Sequence, residues 1–223
     1  IYLLTGQSAS FGLFATTSGK TMNEPRFQRR KEDRPREITE AAFEVFAEKG
    51  YASARVDDVA RRAGVSKGLM YLYFRTKEEL FKAVVKSVVV RRVDSLLDAV
   101  DASELSSEAF IRGPLLTFMK RIPGSPVAVV IRLLISEGHK YPELVDYYWE
   151  NVVSKGLKAI SGVVDRGVQQ GEFRHSEVSQ LPQLFLAPVL VSMIWKIVFA
   201  KRSLDTDKLI ETHLDMVLAY IRA

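Results

Sequence analysis

Apolar residues return every three or four positions along most of this chain, the period of a helix that buries one face. Ile38, Ala41, Ala42, Val45 and Phe46 form the first such stripe. Pro35 suits an opening turn and Gly50 suits a stop, which predicts a helix from Pro35 to about Gly50. Val56, Val59, Ala60 and Ala63 form the second stripe, with Asp57 and Asp58 where carboxylates favour the helix dipole and Gly64 at its end. Ser66 is placed to cap a short third helix over about 67–74. Thr76 with Glu79 three positions on has the capping-box pattern, and opens a fourth helix running to roughly Leu97. Further helices are predicted over 106–121, 127–138, 142–170, 179–199 and 205–221, separated by PGSP, HKYP, GEFRHSE and KRSL. Strand alternation is scarce, so the expected fold is all-α with about nine helices.

Two segments carry more apolar surface than one buried face accounts for. Residues 184–195, LFLAPVLVSMIW, are apolar on all sides yet too short to span a membrane, which needs roughly 20 residues. The last helix bears Leu209, Ile210, Leu214, Val217 and Ile221 on one stripe. Two such helices from each of two subunits would form a four-helix interface, which nominates Leu184, Val191, Trp195, Leu214, Val217 and Ile221 for a homodimer contact; a plain internal core helix is the alternative. Phe110, Phe118, Met119, Leu133, Tyr148, Trp149, Phe185 and Trp195 are candidate linings for a small-molecule pocket, or ordinary core. Arg132 and Glu137 could pair with each other or meet a polar ligand.

Residues 1–33 differ from the rest, with no charge before Lys20 and apolar patches too short for a membrane helix. They are expected to be a disordered extension or, in RFQRRKEDRPR, a basic arm, preceding a module at 34–86 and a larger body at 87–223. The SGKT at 18–21 is not a P-loop, because Phe14 stands where that motif needs glycine. The net charge of +5 is uneven: residues 24–86 hold 15 Lys/Arg against 11 Asp/Glu, whereas 87–223 hold 16 of each. A basic module beside a neutral body suits contact with phosphate, although a solvated basic face has the same composition. There is no cysteine, and His139, His175 and His213 stand apart without ligand spacing, so neither a metal nor another cofactor is expected. No nucleophile elbow, Gly-rich phosphate loop or telling carboxylate pair supports an enzyme.

Helix two, a short turn through Gly64 and a short helix three are the elements of a helix-turn-helix. Met70 and Phe74 can anchor helix three, which leaves Lys67, Tyr71 and Tyr73 on other faces; half-buried packing tyrosines are the bland reading and DNA contact the sharper one. The stretch ITEAAFEVFAEKGYASARVDDVARRAGVSKGLMYLYFRTKEELFKAVV, residues 38–85, resembles the N-terminal domain of the TetR/AcrR family of bacterial transcriptional repressors. The phase of A-x-x-x-F-x-x-x-G-Y, the turn V-A-x-x-A-G-V-S-K-G and the M-Y-x-Y-F helix carry the likeness. It implies a cytoplasmic homodimer bound to a palindromic operator and released by a small effector, whose identity is open. It also implies DNA contacts at Lys67, Gly68, Leu69, Tyr71, Leu72 and Tyr73 behind the cap Ser66, with Lys77 as a phosphate anchor. Two positions depart from the family pattern. Arg55 stands where a Thr or Ser cap is common, so either Ser53 caps or Arg55 reaches phosphate. Leu72 replaces a residue that is often polar or aromatic, and would offer apolar contact to a thymine methyl.

Overall fold

The computed structural model describes the backbone from Arg26 and the side chains from Asp33 to the end of the chain. The chain divides into two units, Ile1–Arg34 and Pro35–Ala223. The described part of the first is helical, and the packing below concerns the second. Among the described residues there are nine continuous helices and no strand. They are α1 (Arg26–Ser53), α2 (Val56–Arg62), α3 (Lys67–Tyr73), α4 (residues 77–101), α5 (residues 107–121), α6 (Val127–Glu137), α7 (residues 142–169), α8 (Gln183–Val198) and α9 (Thr206–Ile221). The all-α expectation and the helix number therefore stand.

One boundary differs from expectation. Helix α1 already runs at Arg26, so Pro35 lies inside it and the basic residues 26–33 are helical. The residues around the proline, RRKED and RE, are good helix formers, and one missing amide interrupts a ladder without ending it. The SGKT segment and the rest of residues 1–25 lie outside the described residues. At the other end Gly50 behaves as the sequence suggests: its φ of 78° kinks the chain out of the helical path, a conformation glycine reaches without a Cβ penalty.

Two hydrophobic clusters hold the helices together. The first joins Ile38, Ala42, Val45 and Phe46 of α1 to Met70 of α3, to Phe81 and Val84 of α4, and to Val130 and Leu133 of α6. Aromatic contacts tighten it: the Tyr51 ring lies 5.5 Å from Phe46, 5.6 Å from Phe81 and 4.7 Å, edge-on, from Tyr141. The second cluster joins Phe110, Ile111, Leu115 and Met119 of α5 to α7, α8 and α9. Helix α4 contributes Val93 to the first cluster and Leu96 to the second, so a single rod crosses from one to the other. Three helices widen for one turn to π geometry, at Lys86–Val90, Ile111–Leu115 and Trp149–Val153. In α5 that turn contains Pro114, whose ring and missing amide disfavour the ordinary i→i−4 bond.

The start of α5 and the end of α7 are joined through charge and close packing. Glu172 accepts hydrogen bonds from the backbone amides of Ser107 at 2.9 Å and Glu108 at 3.0 Å, filling donors that a helix start leaves open. Gly167 lies directly under Phe173. A Cβ added there would overlap the phenyl ring and stand 2.9 Å from Ser107 Cβ, whereas one added at Gly162, a turn earlier, would meet nothing within 4 Å. Gly167→Ala is expected to destabilise the protein by about 1–3 kcal/mol through overpacking. Gly162→Ala should be neutral or stabilising by up to about 1 kcal/mol, because alanine favours the helix. Urea unfolding of the pair checks this, and equal midpoints would show that the ring moves aside freely.

Candidate nucleic-acid interface

Helix α2 ends at Gly64, whose φ of 65° turns the chain, and Val65 N–H donates back to Ala60 O at 3.0 Å. Ser66 Oγ then accepts from Leu69 N–H at 3.2 Å and starts α3. Met70, with no exposed surface, pins α3 into the first cluster, and Val65, Tyr73 and Phe74 pack around it half-buried. Thr76 Oγ1 accepts from Glu79 N–H at 3.1 Å to begin α4. The return half of the expected capping box is displaced by one residue, since Glu79 accepts from the Arg75 amide at 2.7 Å. Short helix, tight turn and two side-chain caps thus fix which way α3 faces.

Its outer face carries Lys67, Gly68, Tyr71 and Leu72. Leu72 is 72 % exposed and Tyr71 47 %, a large amount of apolar surface for so short a helix. Leu69 is half-buried beside them. A Cβ at Gly68 would meet nothing within 4 Å, so the backbone there stands open. Lys67 Nζ lies 2.5 Å from Asp57 Oδ2 in a solvent-exposed pair. The hydrogen bond and the charge of Asp57 hold the ammonium above its ordinary pKa, so it remains cationic at any physiological pH.

The two residues expected near phosphate, Lys77 and Arg55, have different surroundings. Lys77 does not project as an anchor: its Nζ donates to Tyr51 O at 2.7 Å and Ala52 O at 3.1 Å and sits 4.4 Å from the centre of the Tyr51 ring. Partial burial pushes its pKa down, opposed by the nearby Glu137 charge. The reason is geometric, because the chain turns away after Gly50 and leaves carbonyls that an ammonium can cap. Burial also pushes the Tyr51 phenol up to about 12. Arg55 occupies the cap position of α2 and its side chain is exposed, while its backbone amide donates to Asp58 Oδ2 at 3.3 Å. Ser53 belongs to the end of α1 and is not the α2 cap.

The candidate pocket residues do not converge. Phe110, Met119 and Phe185 expose at most 1 % of their surface in the second cluster, which leaves no room for even a water molecule beside them. Phe118 is packed against that cluster, Leu133 and Tyr148 belong to the first, and Trp149 is exposed. Burial raises the Tyr148 pKa. The Trp195 ring packs at a tilt against Phe199, 4.9 Å away, at the end of α8. Of the nominated contact residues, Leu214, Val217 and Ile221 are buried within their own chain and are corrected to core, Leu184 is half-buried, and Val191 is exposed. The free apolar face of α9 is instead Met216 and Tyr220, one step round from the stripe. Arg132 and Glu137 neither pair nor face a cavity. Arg132 Nη2 donates to Ala47 O at 2.7 Å, and Glu137 accepts from the Tyr51 amide at 2.8 Å and from that of Ala52. Such side chain to backbone bonds across 85 residues leave no signature in sequence spacing.

The sequence profile for "Bacterial regulatory proteins, tetR family" matches residues 38–84, and that for "AefR-like transcriptional repressor, C-terminal domain" matches residues 112–221. The chain belongs to the TetR family. This TetR-family regulator is therefore a DNA-binding protein of transcription and not an enzyme. It is 28 % identical to the Fatty acid metabolism regulator protein of Bacillus subtilis over 147 residues, which is 65 % of this chain and 74 % of the relative. Its fold matches that of a TetR-family regulator from Mesorhizobium loti with a TM-score of 0.70 at 23 % identity, covering 90 % of this chain and all of the other. It also matches Bacillus subtilis FadR in complex with stearoyl-CoA, with a TM-score of 0.62 at 22 % identity over 84 % of this chain and 99 % of that one. Among the described residues of the TetR-family chain, no helix is long and apolar enough to cross a membrane.

The revised place of Lys77 makes a measurable difference. Lys77→Ala would leave the Tyr51 and Ala52 carbonyls without their cap and is expected to lower stability by about 1–2 kcal/mol in urea unfolding. A variant with the parent's unfolding midpoint but uniformly weaker DNA binding would return Lys77 to the role of phosphate anchor.

Proposed function

We propose that this protein is a homodimeric repressor in the cytoplasm whose α3 reads the major groove of a palindromic operator and which a small effector releases. Residues 34–86 are the DNA-binding module and 87–223 the effector-binding and dimerisation body. The observation that carries the reading is the outer face of α3, where Lys67, Tyr71 and Leu72 stand exposed on a helix whose inner residue Met70 is buried in the first cluster. Lys67 offers a cation to phosphate or to a guanine edge, and Leu72 and the Tyr71 ring offer apolar surface suited to a thymine methyl. Gly68 permits close approach of the backbone, and Arg55 adds an exposed charge at the start of α2. Leu69 and Tyr73 would buttress this face.

Dimerisation is supported by a second exposed surface. Leu190, Val191, Ile194 and Val198 on α8 are 46–61 % exposed, and Met216 and Tyr220 on the adjoining α9 are 61 % and 52 % exposed. A monomer would leave that stripe in water, and a second copy covers it by the same residues. Two half-sites about 34 Å apart then require two copies of α3. For the effector, the relation to a fatty acid metabolism regulator and the fold shared with a regulator bound to stearoyl-CoA favour a long-chain acyl-CoA. The close packing of Phe110, Met119 and Phe185 means that an acyl chain would have to part the second cluster on binding.

Selection of bound sequences from random duplex DNA tests the reading and returns the operator. Enrichment of a palindrome is expected, and no enrichment above the input pool would count against it. With the operator in hand, Lys67→Ala should weaken binding roughly tenfold or more and broaden the preferred sequence, whereas a substitution at a pure phosphate contact weakens all duplexes alike. Val191→Glu should cost a single chain little, because the side chain is already half in water, but an unpaired charge buried between copies costs roughly 3–5 kcal/mol. A helical monomer by light scattering that has lost palindrome binding is expected, and a dimer would place the interface elsewhere. Stearoyl-CoA should raise the melting temperature and weaken operator binding together, and a rise in melting temperature with unchanged operator affinity would exclude it as inducer.

A further inference from the structure

The corner between α1 and α2 is held by side chains from the body. Gly50 kinks the chain out of α1, so the amides of Tyr51 and Ala52 turn off the helical ladder, and the Ala47 carbonyl lies one turn before them. Glu137, the last residue of α6, fills both amides with its two oxygens: Oε1 accepts from Tyr51 N–H at 2.8 Å and Oε2 from Ala52 N–H. Arg132, five residues earlier on α6, fills the Ala47 carbonyl. The fit is close, since a Cβ on Gly50 would stand 2.7 Å from Glu137 Oε1. On the opposite side Lys77 Nζ caps the carbonyls of the same two residues, Tyr51 and Ala52. One short segment therefore receives a carboxylate on its donors and an ammonium on its acceptors.

This segment aims α2. Only Ser53, Ala54 and Arg55 separate Ala52 from the first residue of α2, and Ala54 is buried. Asp58 of α2 is tied back to Lys49 at 2.9 Å and to the Arg55 amide, so α2 follows the corner rather than pivoting on it. Helix α3 is joined to α2 by the capped turn at Gly64. We propose that Glu137 is a positioning residue for operator recognition: from α6 of the body its carboxylate sets the α1–α2 corner and hence the angle at which α3 presents to DNA. The inference rests on the reading of α3 as the DNA-facing helix. It also gives α6 a direct hold on the module, so that a displacement of α6 by a fraction of a hydrogen-bond length is felt at α2.

A carboxylate suits the role because two neighbouring donors need two acceptors. Glu137→Gln keeps the volume but turns one acceptor into a donor facing an N–H, and Glu137→Asp keeps the charge but withdraws it by one methylene. Both variants are compared with the parent for affinity toward the selected operator and toward a scrambled duplex, at a temperature where circular dichroism shows each to be fully folded. Hydrogen exchange at the Tyr51 and Ala52 amides is followed in parallel. The operator-to-scrambled affinity ratio is expected to fall by about 5- to 150-fold in Glu137→Gln, with faster exchange at both amides, and by less in Glu137→Asp. A residue that only stabilised the fold would lower the melting temperature and leave that ratio unchanged in folded protein. A parental ratio in both variants overturns the proposal while leaving the reading of α3 intact. A parent that prefers no duplex overturns that reading and this proposal with it.

Discussion

A helix that stops leaves backbone groups with nothing to bond, and in this protein the stop at Gly50 is completed by charged side chains from two other helices. Lys77 comes from α4, and Arg132 and Glu137 come from α6. Each end of these contacts needs the other. The part-buried amide and carbonyl of Tyr51 would be costly to leave unpaired beside the aromatic cluster of Phe46, Tyr51 and Phe81, and Glu137 and Lys77 fill them. The placing of α2, the attachment of α6 and the position of α4 are consequently one problem with one solution.

The hydrophobic clusters extend that coupling. The first cluster contains residues of α1, α3, α4 and α6, so it crosses the proposed division between a DNA-binding module and a body. Ile122 and Ile131 pack against both clusters, and α4 runs through both. Well-packed interiors shift by discrete repacking rather than by bending continuously. A ligand that parts the second cluster would move α5 or α8, and Ile122, Ile131 and α4 are the contiguous contacts by which such a change reaches the first. The polar link through Glu137 adds direction to these apolar contacts, because a hydrogen bond has a preferred angle as well as a distance.

What the sequence made legible was what local periodicity and local chemistry control. Nine apolar stripes became nine helices, Ser66 and Thr76 became caps, and Gly50 and Gly64 took the positive φ that their stop positions suggested. The start of α1 was misread because Pro35 marks a tolerated helix position, and tolerance is not a boundary signal. The stripe on α9 was assigned to a partner although Leu214, Val217 and Ile221 serve the chain's own core. An amphipathic pattern says that a face is buried without saying by what. The resemblance makes Lys77 a phosphate anchor, and the bonds it makes in the structure have no mark in the sequence, since its partners are backbone carbonyls 25 and 26 residues away.

Leu72 shows how an apparent misfit becomes informative once the structure is known. In the sequence it is an apolar residue at a position where the family often carries a polar or aromatic one, offering apolar contact to a thymine methyl. In the structure it is 72 % exposed, while Met70, two residues earlier, is fully buried. Two residues along a helix turn the side chain through roughly 200°, so both cannot face inward, and the buried anchor decides which one does. Met70 shares the first cluster with Ala60 and Phe81, and Leu72 is left outside by that choice. Single exposed leucines are ordinary on protein surfaces, but this one stands beside the exposed Tyr71 on a helix of only seven residues. With Lys67 five positions earlier, the outer face of α3 joins charge to apolar surface, a combination suited to the phosphates and thymine methyls of the major groove.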